Sequence, residues 1–103
     1  MAERQLAVLL DPRDNVATAL SALPVGTQVS LACRQVRLTE NIPYAHKFAL
    51  DPIKSGDYVV KYGEIIGQAK ADIQPGELVH RHNLEHRVEG LVLNWRKELR
   101  VRP

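Results

Sequence analysis

The sequence predicts a small domain that is mainly β, with one short helix near its start. The chain has 103 residues, and from Thr27 onward short β-branched segments follow one another, separated by Gly, Pro, Asn or Asp. Many short strands joined by such turns are typical of a compact β fold. A chain of this length holds one modest hydrophobic core.

The first elements are an apolar run and a segment with helical spacing. The run from Gln5 to Leu10 ends at an Asp-Pro pair, which predicts a strand closed by a turn. In DNVATALSAL, Asp14 is a candidate helix N-cap, and apolar residues at roughly helical spacing follow it until Pro24. We therefore expect the helix between these two residues.

A glycine pattern recurs three times, as LPVGTQV at 23–29, IKSGDYV at 53–59 and IQPGELV at 73–79. Each copy has an apolar residue, two turn residues, Gly, two further residues and Val. The pattern predicts a β-turn in which Gly takes a positive φ or a crowded position, followed by a strand whose Val enters the core. Pro43 and Pro52 predict further corners between strands.

Composition and charge exclude several classes of function. No apolar run approaches the ~20 residues of a membrane span, and MAERQLAVLL lacks the features of a signal peptide, so a cytoplasmic location is expected. A net charge of +2 and an aromatic content of 5% do not predict nucleic-acid binding. The single cysteine, Cys33, lies in an apolar context and is interpreted as a small buried residue rather than a reactive thiol.

The segment ELVHRHN is the first candidate for chemistry. Strand alternation would place His80 and His82 on one face, where two imidazoles can converge on one ligand. A metal site generally needs three or four ligands, so an H-x-H pair is also compatible with exposed histidines on an edge strand.

Two further segments carry candidate cations. IPYAHKFAL places His46 and Lys47, which can bind an anion, directly before a run that must be buried; alternatively, Lys47 covers apolar surface and His46 caps a turn. VVKYGEIIG adds Lys61, whose alternative interpretation is a surface pair with Glu64. The chain has no Gly-rich phosphate loop, no Ser/His/Asp order and no Cys-x-x-Cys pair, so no complete catalytic set is assigned to it.

Four motifs appear in order along the chain: D-N-V-A, I-P-x-x-H-K-F-A-L, V-x-K-Y-G-x-x-I-G and G-x-x-V-H-x-H-N. With them, residues 7–83 resemble the small N-terminal module of the altronate and galactarate dehydratases, which is also a separate small subunit in sulfolactate sulfo-lyases. The resemblance implies a SAF-type β-clip fold. We accordingly expect a SAF domain over residues 1–85 and a C-terminal extension over 86–103, either a strand or a docking tail.

The resemblance also implies a function. The chain would be the small subunit of a two-component lyase that eliminates water or sulfite from a hydroxylated carboxylic acid such as an aldonate, an aldarate or sulfolactate. A large catalytic dehydratase-like subunit would complete the cleft and share a divalent metal ion of iron or manganese type. The alternative is a non-catalytic SAF module that binds an acidic carbohydrate or a protein partner. No nucleic-acid or membrane partner is expected, and self-association stays open.

Site residues follow from the same resemblance. The position before His46, often glycine in this family, is Ala45 here, which would tighten the approach of the backbone to a ligand. The two implied sets are substrate-binding His46, Lys47, Lys61 and Asn83, and metal-binding His80 and His82.

Overall fold

The computed structural model describes residues 5–31 and 34–86 and consists of short strands. Cys33 and residues 87–103 of the predicted extension lie outside the described residues. In the described part the mainly β prediction is confirmed, and no helix there is long and apolar enough to cross a membrane. The strands are β1 (Ala7–Val8), β2 (Val16–Ala19), β3 (Gln28–Leu31), β4 (Arg34–Arg37), β5 (Lys47–Ala49), β6 (Tyr58–Lys61), β7 (Glu64–Ala69), β8 (Leu78–Val79) and β9 (Leu84–Glu85).

The strands form three antiparallel sheets, and the largest is built from strands that are distant in sequence. It has the order β1-β2-β5-β8, whereas β3 and β4 form a hairpin and β6, β7 and β9 form a three-stranded sheet. Lys47 in β5 is paired with Thr18 in β2 on one side and with Val79 in β8 on the other. The central strand β5 therefore joins the early and late parts of the chain.

The hydrophobic core has two parts, and β5 contributes to both. Phe48 belongs to one cluster, with Leu38 and Ile42. Ala49 belongs to the other, with Val59 and Val79. Successive side chains of a strand point to opposite faces, so two adjacent residues serve two clusters.

The helix predicted after Asp14 is wrong, because Val16–Ala19 forms strand β2. This strand pairs with β1 and β5, and its residues Val16, Ala17 and Ala19 are all buried. A strand that is buried on both faces has a continuous apolar run rather than an alternating one. Such a run cannot be distinguished from a buried helix by its periodicity alone.

The predicted glycine turns are confirmed. Gly26, Gly56 and Gly76 have φ values of 89°, 89° and 92°. In each turn, the amide after the glycine donates to the carbonyl three residues earlier, at 2.8 to 3.2 Å. A β-turn with positive φ at its third residue is a type II turn, in which glycine is the favoured residue. We call each such turn, with the strand that follows it, a corner.

A fourth corner, at residues 42–48, has no glycine. Ala45 takes the glycine position with a φ of 67°. The amide of His46 donates to the carbonyl of Pro43 at 3.1 Å, as in the other three corners. The corner therefore occurs four times in the described part of the chain. The copy that carries His46 and Lys47 does not match the sequence pattern because it has alanine in place of glycine.

The four corners are joined in two similar pairs. Leu23 bridges to Ile42, and Ile53 bridges to Ile73, each through two backbone hydrogen bonds of 2.7 to 2.8 Å. A side chain supports each pair in the same way. The Asn41 carboxamide oxygen accepts from the amide of Val25 at 2.8 Å, and the Asp72 carboxylate accepts from the amide of Ser55 at 2.9 Å. The fold thus repeats one arrangement, and the two halves meet where β5 pairs with β8.

Candidate anion-binding site

His46 and His80 are neighbours across the junction of β5 and β8. The register that pairs Lys47 with Val79 brings the residue before β5 beside the residue after β8. The two imidazole centroids are 5.0 Å apart, and the rings are tilted by 48°. Nδ1 of His46 lies 3.0 Å from the carbonyl oxygen of Tyr44. Because a carbonyl only accepts, Nδ1 is the donor in this contact.

Lys47 lies in the same region, half-buried between Thr18 and Val79. Burial lowers the pKa of its ammonium group, and the positive charge of Lys61 lowers it further. Both causes disfavour the charged form of the amine. A second ammonium group, at the end of β6, thus acts electrostatically on Lys47.

Lys61 is the last residue of β6 and precedes the Tyr62-Gly63 turn of the β6–β7 hairpin. Its Nζ lies 4.9 Å from the centroid of the Tyr62 ring, the geometry of a cation–π contact. Glu64 is its backbone partner across the hairpin. The ion pairs found among residues 5–31 and 34–86 join other residues, so the surface pair with Glu64, the alternative interpretation of Lys61, is not seen.

The environment of His80 is electropositive. Partial loss of solvent around this exposed ring lowers the pKa of His80, and the positive charges of His46, Lys47, Arg81 and His82 lower it further. The charges that act on His80 and on Lys47 in the described part of the chain are thus all positive. We call His46, Lys47, Lys61 and His80 the cationic cluster. Such a cluster suits a ligand that carries negative charge.

The predicted relationship between His80 and His82 is wrong in its geometry. Strand β8 ends at Val79, and residues 80–84 form a turn in which the amides of Asn83 and Leu84 donate to the carbonyl of His80 at 3.0 and 2.8 Å. Strand alternation therefore does not apply to these two histidines. The ring beside His80 is that of His46.

A metal site is not evident from the described residues alone. They include no group of three or more His, Cys, Asp or Glu side chains arranged to hold a metal ion. A divalent metal would need ligands from elsewhere. Metal binding by His80 and His82 stays a prediction.

Asn83 supports the turn that carries His80. It is buried, its carboxamide oxygen accepts from the amide of His80 at 2.9 Å, and its Nδ2 donates to the carbonyl of Leu78 at 2.8 Å. Both polar ends of the side chain are therefore engaged within the turn. The geometry shows a structural role, and the predicted contact of Asn83 with substrate stays a prediction.

Asp14, interpreted from sequence as a helix cap, instead supports the turn beside Lys61. Its two carboxylate oxygens accept from the amides of Tyr62 at 3.0 Å and Gly63 at 2.8 Å. Both turn residues have positive φ, 59° and 72°, as a two-residue type I′ hairpin requires. Sequence analysis identified the acceptor but not its distant partners. The signal that marked the turn was the Tyr-Gly pair between two strands.

Taken together, the described residues form a β domain in which two lysines and two histidines make up the cationic cluster. The family model described as the altronate/galactarate dehydratase SAF domain matches residues 5–87, and the chain belongs to this family. The predicted family is therefore confirmed.

Similar proteins include dehydratases and a lyase subunit. The chain is 50% identical over 70 residues to an altronate dehydratase of Escherichia coli (strain K12), a match that covers 68% of this chain and 14% of the relative. It is 34% identical over 86 residues to an altronate dehydratase of Bacillus subtilis (strain 168), covering 84% of this chain and 17% of the relative. A (2R)-sulfolactate sulfo-lyase subunit alpha of Paracoccus pantotrophus is 49% identical over 43 residues, 42% of this chain and 64% of the relative. These matches support a lyase-related role, and the chain spans less than a fifth of the length of the two dehydratases.

Proposed function

We propose that this chain supplies the anion-binding half of a lyase active site, which a larger catalytic polypeptide completes. The reaction would eliminate water or sulfite from a small hydroxylated carboxylic acid such as an aldonate, an aldarate or sulfolactate. The cationic cluster is the observation that carries the proposal, because β5, β6 and the turn after β8 bring its members to one edge. The names of the relatives support the reaction type.

The chemistry of elimination explains why such a cluster is useful. The C–H bond next to the carboxylate breaks, its electrons form a C=C bond, and the C–O or C–S bond at the next carbon breaks as the leaving group departs with its electron pair. Negative charge builds on the carboxylate during this step. Cationic groups fixed beside that carboxylate stabilise the charge. Lys47 and Lys61 would take this role, and the base would lie on the larger polypeptide.

His80 has a different part in the proposal. Because its pKa is lowered, the imidazole is mainly neutral near pH 7 and can donate or accept a hydrogen bond. It would bind a substrate hydroxyl or carry a proton at the edge of the site. His82 and a shared divalent metal of iron or manganese type belong to the proposal only with ligands from outside the described residues, and no step is assigned to them.

Co-purification and assay test this function. The chain is tagged in its native host, the proteins that elute with it are identified, and the eluate is assayed with aldarates, aldonates and sulfolactate. We expect a larger dehydratase-like polypeptide and release of water or sulfite from one of these acids, with activity lost in Lys61→Ala and retained in Lys54→Ala. Elution without such a polypeptide, and without activity on any acid, would reject the proposal.

A non-catalytic binding module is the second candidate. One observation favours it: the cationic cluster is formed by residues of this chain alone. In that case the purified chain would bind an acidic carbohydrate or a protein without any enzyme activity in its eluate. The same co-purification separates the two candidates.

A further inference from the structure

Two polar side chains are buried among the described residues, Asp14 at 1% exposed and Asn83 at 6% exposed. Removing a polar group from water is costly unless hydrogen bonds replace those to water. Each of these side chains makes such bonds, and each makes them to the backbone beside a member of the cationic cluster. The hydrogen-bond partners of Asp14 and Asn83 therefore indicate the role of these two buried side chains.

Asp14 fixes the Lys61 side of the cluster. Its carboxylate receives the amides of Tyr62 and Gly63 and so holds the tip of the β6–β7 hairpin from inside. Tyr62 has a φ of 59°, an uncommon conformation for a bulky residue, and this contact holds it there. The Tyr62 ring then lies under the ammonium group of Lys61. The position of the Lys61 charge thus depends on a carboxylate that does not touch it.

Asn83 fixes the His80 side. Its two hydrogen bonds, to the amide of His80 and the carbonyl of Leu78, close the turn at the end of β8. The amides of Asn83 and Leu84 in turn donate to the carbonyl of His80. The backbone of His80 is therefore held at both its amide and its carbonyl, and its imidazole lies beside that of His46.

We infer that Asp14 and Asn83 are positioning residues that preorganise the cationic cluster for its anionic ligand. The inference rests on the proposed function for the identity of the ligand. His46 and Lys47 need no such support because β5 is held in the centre of a sheet, between β2 and β8. Lys61 and His80 lie at the ends of strands, beside turns, and each of them has a buried side chain behind it. A site fixed in this way loses less conformational freedom when it binds.

Turn stability alone does not require burial. Asn41 and Asp72 are exposed, yet each holds a corner through one side-chain bond to a backbone amide. They make the same kind of contact as Asn83 and Asp14, but with the amides of Val25 and Ser55, which are not adjacent to a member of the cationic cluster. They are therefore matched controls for the two positioning residues.

The experiment compares Asp14→Asn with Asp72→Asn, and Asn83→Ala with Asn41→Ala, in the isotope-labelled chain by NMR. In Asn83→Ala we expect loss of the cross-relaxation between the ring protons of His46 and His80. In Asp14→Asn we expect loss of the upfield ring-current shift that Tyr62 gives the Lys61 methylenes. Both control variants should keep both signals.

Binding of galactarate gives the second measurement. The affinity should fall about tenfold in each positioning variant and less than about twofold in each control, where tenfold corresponds to ~1.4 kcal/mol. Asp14→Asn removes a negative charge, which by itself would favour an anion, so a loss there cannot be a charge effect. In double-mutant cycles, Asp14→Asn should cost nothing further in Lys61→Ala, and Asn83→Ala nothing further in His80→Ala.

The outcomes separate the inference from the proposed function. Full additivity in either cycle, or unchanged spectral signatures, would overturn the inference. A positioning variant that gives no folded spectrum would assign that residue to stability and overturn its half. If the wild-type chain binds no galactarate while the two signatures are lost as expected, positioning stands and the proposed ligand is rejected.

Discussion

Ala45 and Gly76 occupy equivalent positions in the corners that precede the paired strands β5 and β8. Their φ values are 67° and 92°, and each donates its amide to a strand carbonyl, that of Ala19 at 2.9 Å and that of Ala49 at 2.8 Å. A side chain in the left-handed region is strained in a way that glycine is not. The corner that presents His46 and Lys47 is thus the one that bears this strain.

Replacing Ala45 by glycine should stabilise the chain. Relief of ~1–2 kcal/mol of left-handed strain exceeds the ~0.5–1 kcal/mol entropic cost of a glycine, so we expect a gain of about 0.5 kcal/mol in the free energy of unfolding. Urea denaturation measures the difference. Ala71→Gly, at an exposed position without positive φ, is the control and should not be stabilising. A loss of stability in Ala45→Gly would contradict the strain argument.

The three glycine corners should respond differently to alanine. A Cβ at Gly26 or Gly56 would meet no atom within 4 Å, whereas a Cβ at Gly76 would overlap the carbonyl oxygen of Arg37. We expect Gly26→Ala and Gly56→Ala to cost about 1–2 kcal/mol each, and Gly76→Ala to cost clearly more because the backbone of β4 must also move. The still larger Gly76→Val should prevent folding. Equal unfolding free energies for the three alanine variants would show that the crowding at Gly76 is unimportant.

Removing the charge of Lys61 should raise the pKa of Lys47. In Lys61→Met, burial would still lower the pKa of Lys47, but the repulsion from the ammonium group of Lys61 would be gone. The titration of Lys47 can be followed by NMR after reductive ¹³C-methylation of the lysines. Lys54→Met, an exposed corner residue, should leave the titration unchanged. The same midpoint in wild type and Lys61→Met would mean that the two amines do not interact.

His80 should titrate below the usual histidine pKa of 6.5. Removing a positive charge near the ring should raise the pKa of His80 toward that value. His46→Ala should shift it part of the way, because the loss of solvent remains, and bound galactarate should raise it through its negative charge. Since the folded-state pKa is lower than the unfolded one, the stabilising contribution is present above about 6.5 and is lost as the pH falls through the folded-state value. NMR titration of the His80 ring protons measures the pKa shift in His46→Ala and the shift with bound galactarate. His86→Ala is the control. A His80 pKa that is insensitive to His46→Ala would contradict the electrostatic coupling.

The local features of the fold were predictable from sequence, whereas features that depend on strand pairing were not. Gly26, Gly56 and Gly76 predict the turns in which they lie, since few other residues adopt a positive φ. Ala45 gives no such signal, and only the departure from the family pattern marked its position. The segment after Asp14 has the apolar spacing of a helix, and its burial on both faces as β2 depends on β1 and β5, which local sequence does not reveal.

The same limit applies to the candidate site. Sequence analysis grouped His80 with His82, two residues away, because alternation is a local rule. The structure places His80 beside His46, which is distant in sequence, through the register of β5 and β8. For Asp14 the helix-cap interpretation is replaced by contacts with a distant turn. The predicted substrate contact of Asn83 stays a prediction, and its hydrogen bonds to the backbone add a structural role that sequence does not reveal.

Strand β8 lies at the edge of the four-stranded sheet, and its position in the sequence matters for synthesis of the chain. The histidine ahead of β5 is synthesised before its partner, because His80 follows β8 near the end of the described residues. A polypeptide terminated before Leu78 would lack this edge strand and His80, and it could not form the cationic cluster.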